Sequence, residues 1–400
     1  MSRIRFLWLI AAVFLCAVSA RAAETPAAPP GAAAPTPATT PAAPAAKVPL
    51  GLPPVPIPAD NPQTPEKIAL GEKLFNDTRF SSTGTVNCAT CHVPGKAFTD
   101  SPLKTSEGIH KLTGTRNAPT VVNAAYMKTQ FWDGRSASLE DQSQHPFVNP
   151  VEMGLTDHQP ILDIVRSDPA YTAAFKSVFG KEGDGITMAE VTKAIAAFER
   201  TQISAGSPFD QWYFGGNAEA ITPAQKRGFE LFVGAGRCVS CHTIEQTQAL
   251  FTDSRFHNVG VGINAIQNDI TALAGEFLRA KATASEVDKK VLTDKRTSEL
   301  GRFAISRGFD DLGSFKTPTL RNIAVTAPYM HDGSLKTLKD VVTHYKNGGV
   351  TKETDPVNDF LSGGIRPLVL TDEEVADLVA FMEALTSPEY GSPAGAGGTK

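Results

Sequence analysis

Cys88-Ala89-Thr90-Cys91-His92 and Cys238-Val239-Ser240-Cys241-His242 decide how the rest of this 400-residue chain is read. The spacing Cys-x-x-Cys-His attaches c-type haem. One helical turn can set both thiols against the two vinyl groups of a porphyrin, while the next residue presents an imidazole to the iron. A zinc site and a thioredoxin-like redox pair are the competing readings. Both fit poorly, because each pentad carries the histidine and no further Cys-x-x-Cys exists to complete a zinc cage. Cys88, Cys91, Cys238 and Cys241 are therefore expected to hold two covalent haem c groups, with His92 and His242 as proximal iron ligands.

Outward toward the amino terminus, residues 1–22 combine a basic start (Arg3, Arg5), an apolar run over 6–20 and the small residues of a peptidase site at Ala20-Arg21-Ala22. The run is too short for a stable transmembrane span. Export to the periplasm with cleavage near Ala22 is expected. The fifth cysteine, Cys16, lies in this leader, so every cysteine of the mature chain is committed to haem. The chain has 38 basic and 42 acidic residues, a net charge of −4, and loss of Arg3, Arg5 and Arg21 makes it more acidic still. Nothing in that balance suggests nucleic acid as a partner. Residues 23–58 form a Pro/Ala-rich linker, a disordered or extended tether with no chemistry of its own.

From about 60 to 388 one plan occurs twice. Each copy opens with a helix announced by Thr-Pro (Thr64-Pro65, Thr222-Pro223) and carries Gly, Leu and Phe at matching positions: Gly71, Leu74, Phe75 and Gly228, Leu231, Phe232. A haem pentad follows. Each copy closes with a capping-box helix, Thr187 to Glu190 and Thr371 to Glu374. The apolar faces of these helices (Val191, Ile195, Phe198; Val375, Leu378, Phe381, Met382) should pack on the opening helix. The expected fold is all-α: two cytochrome c-like haem domains packed together, 59–217 and 218–388, with 389–400 as a flexible tail.

Between pentad and closing helix the copies align without a gap. Ala118-Pro119-Thr120 matches Thr317-Pro318-Thr319, Asn123 matches Asn322, and Phe131-Trp132-Asp133-Gly134 matches Met330-His331-Asp332-Gly333. On this register Tyr345 falls opposite Pro146. Tyrosine is a known haem ligand and proline offers none. One haem is then six-coordinate and the other open or closable on its distal side. A packed core tyrosine is the alternative for Tyr345, and Met330 is the competing ligand, although its counterpart Phe131 suggests a packing slot.

The stretches Arg116-Asn117-Ala118-Pro119-Thr120, Gln130-Phe131-Trp132-Asp133-Gly134-Arg135, Gly301-Arg302-Phe303-Ala304 and Pro328-Tyr329-Met330-His331-Asp332-Gly333 resemble the bacterial dihaem cytochrome c peroxidases, a superfamily that includes MauG. The resemblance spans nearly all of 60–388. It implies an amino-terminal peroxidatic haem, a carboxy-terminal electron-transfer haem and a calcium ion between the domains. It makes Gln142 and Glu152 the distal peroxide-handling pair and Trp132 the tryptophan between the haems. It makes Asn117, Thr326 and Pro328 the calcium-binding positions, and His110 a loop histidine that caps the first iron at rest.

Two departures stand out. Tyr345 takes the position where typical peroxidases have methionine, as in MauG, and a hard anionic ligand lowers the reduction potential. An insert at about 262–297 is charged, helix-forming and without an assigned role; a solvated extra helix is expected. The implied activity is reduction of hydrogen peroxide to water with electrons from a small c-type cytochrome or cupredoxin, in a chain that is a candidate homodimer. A MauG-like oxidase acting on tryptophans of a partner protein, and a dihaem electron carrier without catalysis, are the alternatives.

Overall fold

The repeated Thr-Pro signals start helices in both halves. A computed structural model describes residues 48–350 and 358–391; the signal peptide, most of the linker and the tail beyond 391 lie outside the described residues. The Thr64 hydroxyl accepts from the Lys67 amide at the start of α1 (Pro65–Phe75), and Pro65 occupies the first helical position, where no amide hydrogen is needed. Next come α2 (Gln159–Ser167), α3 (Pro169–Phe179) and α4 (Met188–Glu199), the last opened by the expected Thr187–Glu190 box. In the second half, α5 (Pro223–Val233) starts from Thr222 and Gln225. It is followed by α6 (Ile270–Ala280), α7 (Ala284–Thr293), α8 (Lys295–Glu299), α9 (Leu338–Lys346) and α10 (Asp372–Glu383). The Thr371–Glu374 box opens α10.

One helix crossing is used twice: α1 packs on α4, and α5 packs on α10. The matched glycines explain how close the crossings are. A Cβ at Gly71 would strike the Ala194 carbonyl, and one at Gly228 would strike the Asp377 carbonyl. Val191, Ile195, Phe198, Val375, Leu378, Phe381 and Met382 are all buried. They belong to two separate apolar cores, one built from Leu70 to Phe198 and the other from Phe209 to Leu385. The repeat extends to single backbone anchors. Asn123 and Asn322 both adopt left-handed φ, and each side chain ties down the segment that leaves its own closing helix, through Ser204 and Ser387 respectively.

The fold is helix-rich, with one short antiparallel pairing of Phe256–His257 with Phe315–Lys316. Two expectations are corrected. The end of the linker is docked: Leu52 is buried, and the Gly51 carbonyl accepts from the Arg321 guanidinium at 2.7 Å, itself paired with buried Asp210. A buried guanidinium needs every donor satisfied, which fixes the chain at Gly51. The insert is not a solvated helix either. Its helices α6 and α7 bury Ile270, Leu273, Phe277, Val287 and Val291 in a third core that also takes in Leu300, Phe303 and Leu312. Its apolar stripe has helical period, so water would be a poor partner for it.

The described residues fall in one compact unit. The halves are stitched by the Asn117 amide to the His331 carbonyl (2.8 Å), the Lys316 amide to the Trp132 carbonyl (2.7 Å), and Arg302 to the carbonyls of Asp133 and Gly134.

Candidate active site

Each pentad presents its histidine in the same way. Cys88–Cys91 forms one helical turn, and the His92 amide closes it on the Cys88 carbonyl; the His242 amide does the same to Cys238, each at 2.9 Å. His92 Nδ1 lies 3.2 Å from the Phe98 carbonyl, and His242 Nδ1 lies 2.9 Å from the Phe251 carbonyl. A carbonyl can only accept, so Nδ1 carries the proton and Nε2 keeps its lone pair for a metal. Phe98 and Phe251 both have left-handed φ, which turns their carbonyls inward. Burial lowers the pKa of both imidazoles and so favours the neutral, ligating form. Burial also raises the thiol pKa of Cys88, Cys91 and Cys238. Such thiols suit thioether attachment better than a thiolate metal cage.

The first half contains a cavity lined by Cys91, His92, Asn117, Trp132, Gln142, Pro146 and Glu152. Residues 50–60 positions apart in sequence converge there because the short helices Leu139–Gln142 and His145–Val148 fold back over the pentad. The cavity wall also carries Arg116 Nη1, Arg135 Nη2 and Glu199 Oε2, all buried with no hydrogen-bond partner among the described residues. Two unpartnered guanidinium nitrogens call for acceptor atoms, which a porphyrin bearing carboxylates or a peroxide would supply. The cavity therefore fits a haem.

Glu152 is pushed up to about 7, first by burial; Arg135 and His145 oppose the shift and Asp288 adds to it. A carboxyl poised there exchanges protons readily at neutral pH. In the second half, Tyr345 lies on α9 in the field of Cys238 and Cys241, and burial first, then those sulfurs, raise its pKa. Its phenolate would need a cation beside it, which ferric iron provides. The register that set Pro146 opposite Tyr345 thus separates a cavity wall from a half-buried phenol.

Comparison with known proteins agrees with this geometry. Residues 65–218 match the family model described as di-haem cytochrome c peroxidase. The chain is 38% identical over 349 residues to cytochrome-c peroxidase IdrP1 of Denitromonas iodatirespirans, covering 85% of this chain and 87% of that one. It belongs to the di-haem cytochrome c peroxidase family. Another relative is the methylamine utilization protein MauG of Methylorubrum extorquens, 37% identical, covering 83% of this chain and 81% of that one. A solved MauG-like protein associated with microbial copper homeostasis superposes with a TM-score of 0.69 at 32% identity, over 87% of this chain and 97% of that one. As a family member the chain is a two-haem oxidoreductase of the peroxidase class.

The remaining expected residues of this family member fall as follows. The Trp132 indole donates to the Asn117 carbonyl at 2.9 Å, at the seam between the halves. Asn117 lines the cavity and reaches the second half through His331, three residues beyond Pro328, while the Thr326 hydroxyl donates to the Ile323 carbonyl. His110 is exposed in this conformation, has left-handed φ and does not line the cavity, and the neighbouring Ile109 is pinned in the core with its amide on the Glu152 carbonyl. Among the described residues no helix is long and apolar enough to cross a membrane. Arg116, Arg135, His145, Glu199 and Asp288 were not singled out from the sequence. The Arg-Asn and Asp-Gly-Arg turns could have flagged the arginines; Asp288, in an insert with no counterpart in the repeat, gave no signal.

Proposed function

We propose that the protein is a periplasmic peroxidase that reduces hydrogen peroxide to water. Electrons come from a small c-type cytochrome or cupredoxin and pass from the His242 haem to the His92 haem. One peroxide, two electrons and two protons give two waters. The observation that carries this reading is the convergence of Gln142, Pro146 and Glu152 on the cavity that holds His92. Haem bound at His92 supplies the redox centre. Glu152 takes the proton from one peroxide oxygen and returns it to the other, so that water is the leaving group. Gln142 orients the peroxide through its amide, and Pro146 offers no competing ligand. Trp132, hydrogen-bonded at the seam of the halves, relays electrons between the two sites. The two haem-bearing halves act as domains at 59–217 and 218–388, with Asn117, Thr326 and Pro328 holding calcium between them. Hydrogen peroxide turnover with reduced cytochrome c tests the reading; absence of turnover would sink it.

Tyr345 supports a second reading, a MauG-like oxidase drawing electrons from tryptophans of a partner protein. That reading requires high-valent haem to persist after peroxide is added without donor; rapid decay would count against it. The ferric protein should give mixed high-spin and low-spin EPR signals, from the open His92 haem and the His242–Tyr345 haem respectively. A purely low-spin spectrum would contradict the open site.

A further inference from the structure

We propose that Asp288, contributed by the inserted helix α7 of the second half, is a positioning residue for the first-half cavity, where it holds Arg135 so that one guanidinium donor faces the bound substrate. This deepens the peroxidase reading and rests on it. Arg135 lines the cavity, and its three nitrogens have different fates. Nε donates to Asp288 Oδ1 at 2.6 Å, and Nη1 donates to both Asp133 oxygens at 3.0 and 3.2 Å. Nη2 alone is buried without a partner among the described residues. The guanidinium also lies 3.5 Å from the centre of the Phe131 ring, which fixes its plane. A planar fork held at two corners and along one face can aim its third corner in only one direction.

Asp288 is buried, and its second oxygen is 3.3 Å from His145 Nδ1, the residue before Pro146. One carboxylate therefore braces Arg135 and the helix turn that carries Pro146. The rest of the insert supports the placement. The Thr115 hydroxyl donates to the Val291 carbonyl at 2.7 Å, and Leu292 lines the cavity itself. The charged groups around the cavity are Arg116, Asp133, Arg135, His145, Glu152, Glu199 and Asp288, with Asp141 beyond His145. Of the two arginines, Arg135 is the one whose orientation depends on the insert through a direct ion pair. Its free N–H can donate to an anionic or lone-pair-rich atom in the cavity, as a preorganised donor does where negative charge develops.

Fluoride binding to the diferric holoenzyme, followed by haem absorbance, reads this donor without turnover. D288N is expected to weaken fluoride affinity, and to slow the reaction with peroxide, by roughly tenfold each. R135Q should lose at least as much. The double variant R135Q/D288N should match R135Q within about twofold, because the donor that Asp288 positions is already absent from R135Q. Wild-type fluoride affinity in D288N would overturn the proposal. So would a further loss on adding D288N to R135Q, a comparison that remains readable if D288N alone fails to fold. If fluoride binding depends on Asp288 but the wild-type protein does not turn over peroxide, the peroxidase reading falls and the role of Asp288 stands.

Discussion

Glu152 shows how one residue acquires a role through its surroundings. Its side chain has no unusual chemistry, yet burial raises it to about 7, where it is partly ionised at neutral pH. A base must be ionised to take the first proton, so the second-order rate constant for peroxide should rise with pH across about 6 to 8. Stopped-flow measurements over that range check the sign. E152Q should abolish the dependence and lower the rate constant by roughly a hundredfold or more. Tyr345→Phe should leave both haems attached and shift the second haem potential in the positive direction, since an anionic ligand favours ferric iron. A redox titration reads that shift. At this scale the two pentads and the Tyr345–Pro146 contrast were legible as spacing. The cavity wall was legible only through the family resemblance, and Arg135 and Asp288 not at all as partners, because nothing local links positions 135 and 288.

At the scale of elements, the two helix crossings rest on matched glycines. Helix propensity alone makes Gly→Ala stabilising by about 1 kcal/mol. At Gly71 and Gly228 the added Cβ meets a carbonyl of the partner helix, and backbone cannot move aside as a side chain can. Overpacking of this kind costs about 1–3 kcal/mol and should win. G71A and G228A are each expected to lower the melting temperature, measured by circular dichroism at 222 nm. An unchanged or higher value would mean that the helices separate at no cost. Thr-Pro starts, capping boxes and apolar faces could be read directly, because each is a rule about residues within one or two turns. The burial of the insert could not. Helical period shows that a face is apolar, but not whether a partner exists to cover it.

For the whole molecule, pH couples the buried carboxyls to stability. Burial raises Glu199 from 4.5 to about 8; Arg200 opposes the shift and Glu140 adds to it. Between those values the unfolded chain releases a proton that the folded chain keeps, so stability falls as pH rises through the window. Melting temperatures should decline from about pH 5 to pH 8, and E199Q should flatten the decline. A wild-type profile in E199Q would assign the slope to other groups.

By itself the sequence determined the two Cys-x-x-Cys-His pentads, the helix starts and the internal repeat. All of these depend on spacings of a few residues, which covalent geometry and backbone hydrogen bonding fix locally. Only the tertiary structure decided which side chains share the first cavity, that Gly51 is anchored by Arg321, that His110 stays at the surface, and that an insert in the second half braces Arg135 in the first. Those outcomes depend on long-range burial. A charge or an apolar face removed from water must find a partner wherever the fold brings one, however distant in the chain.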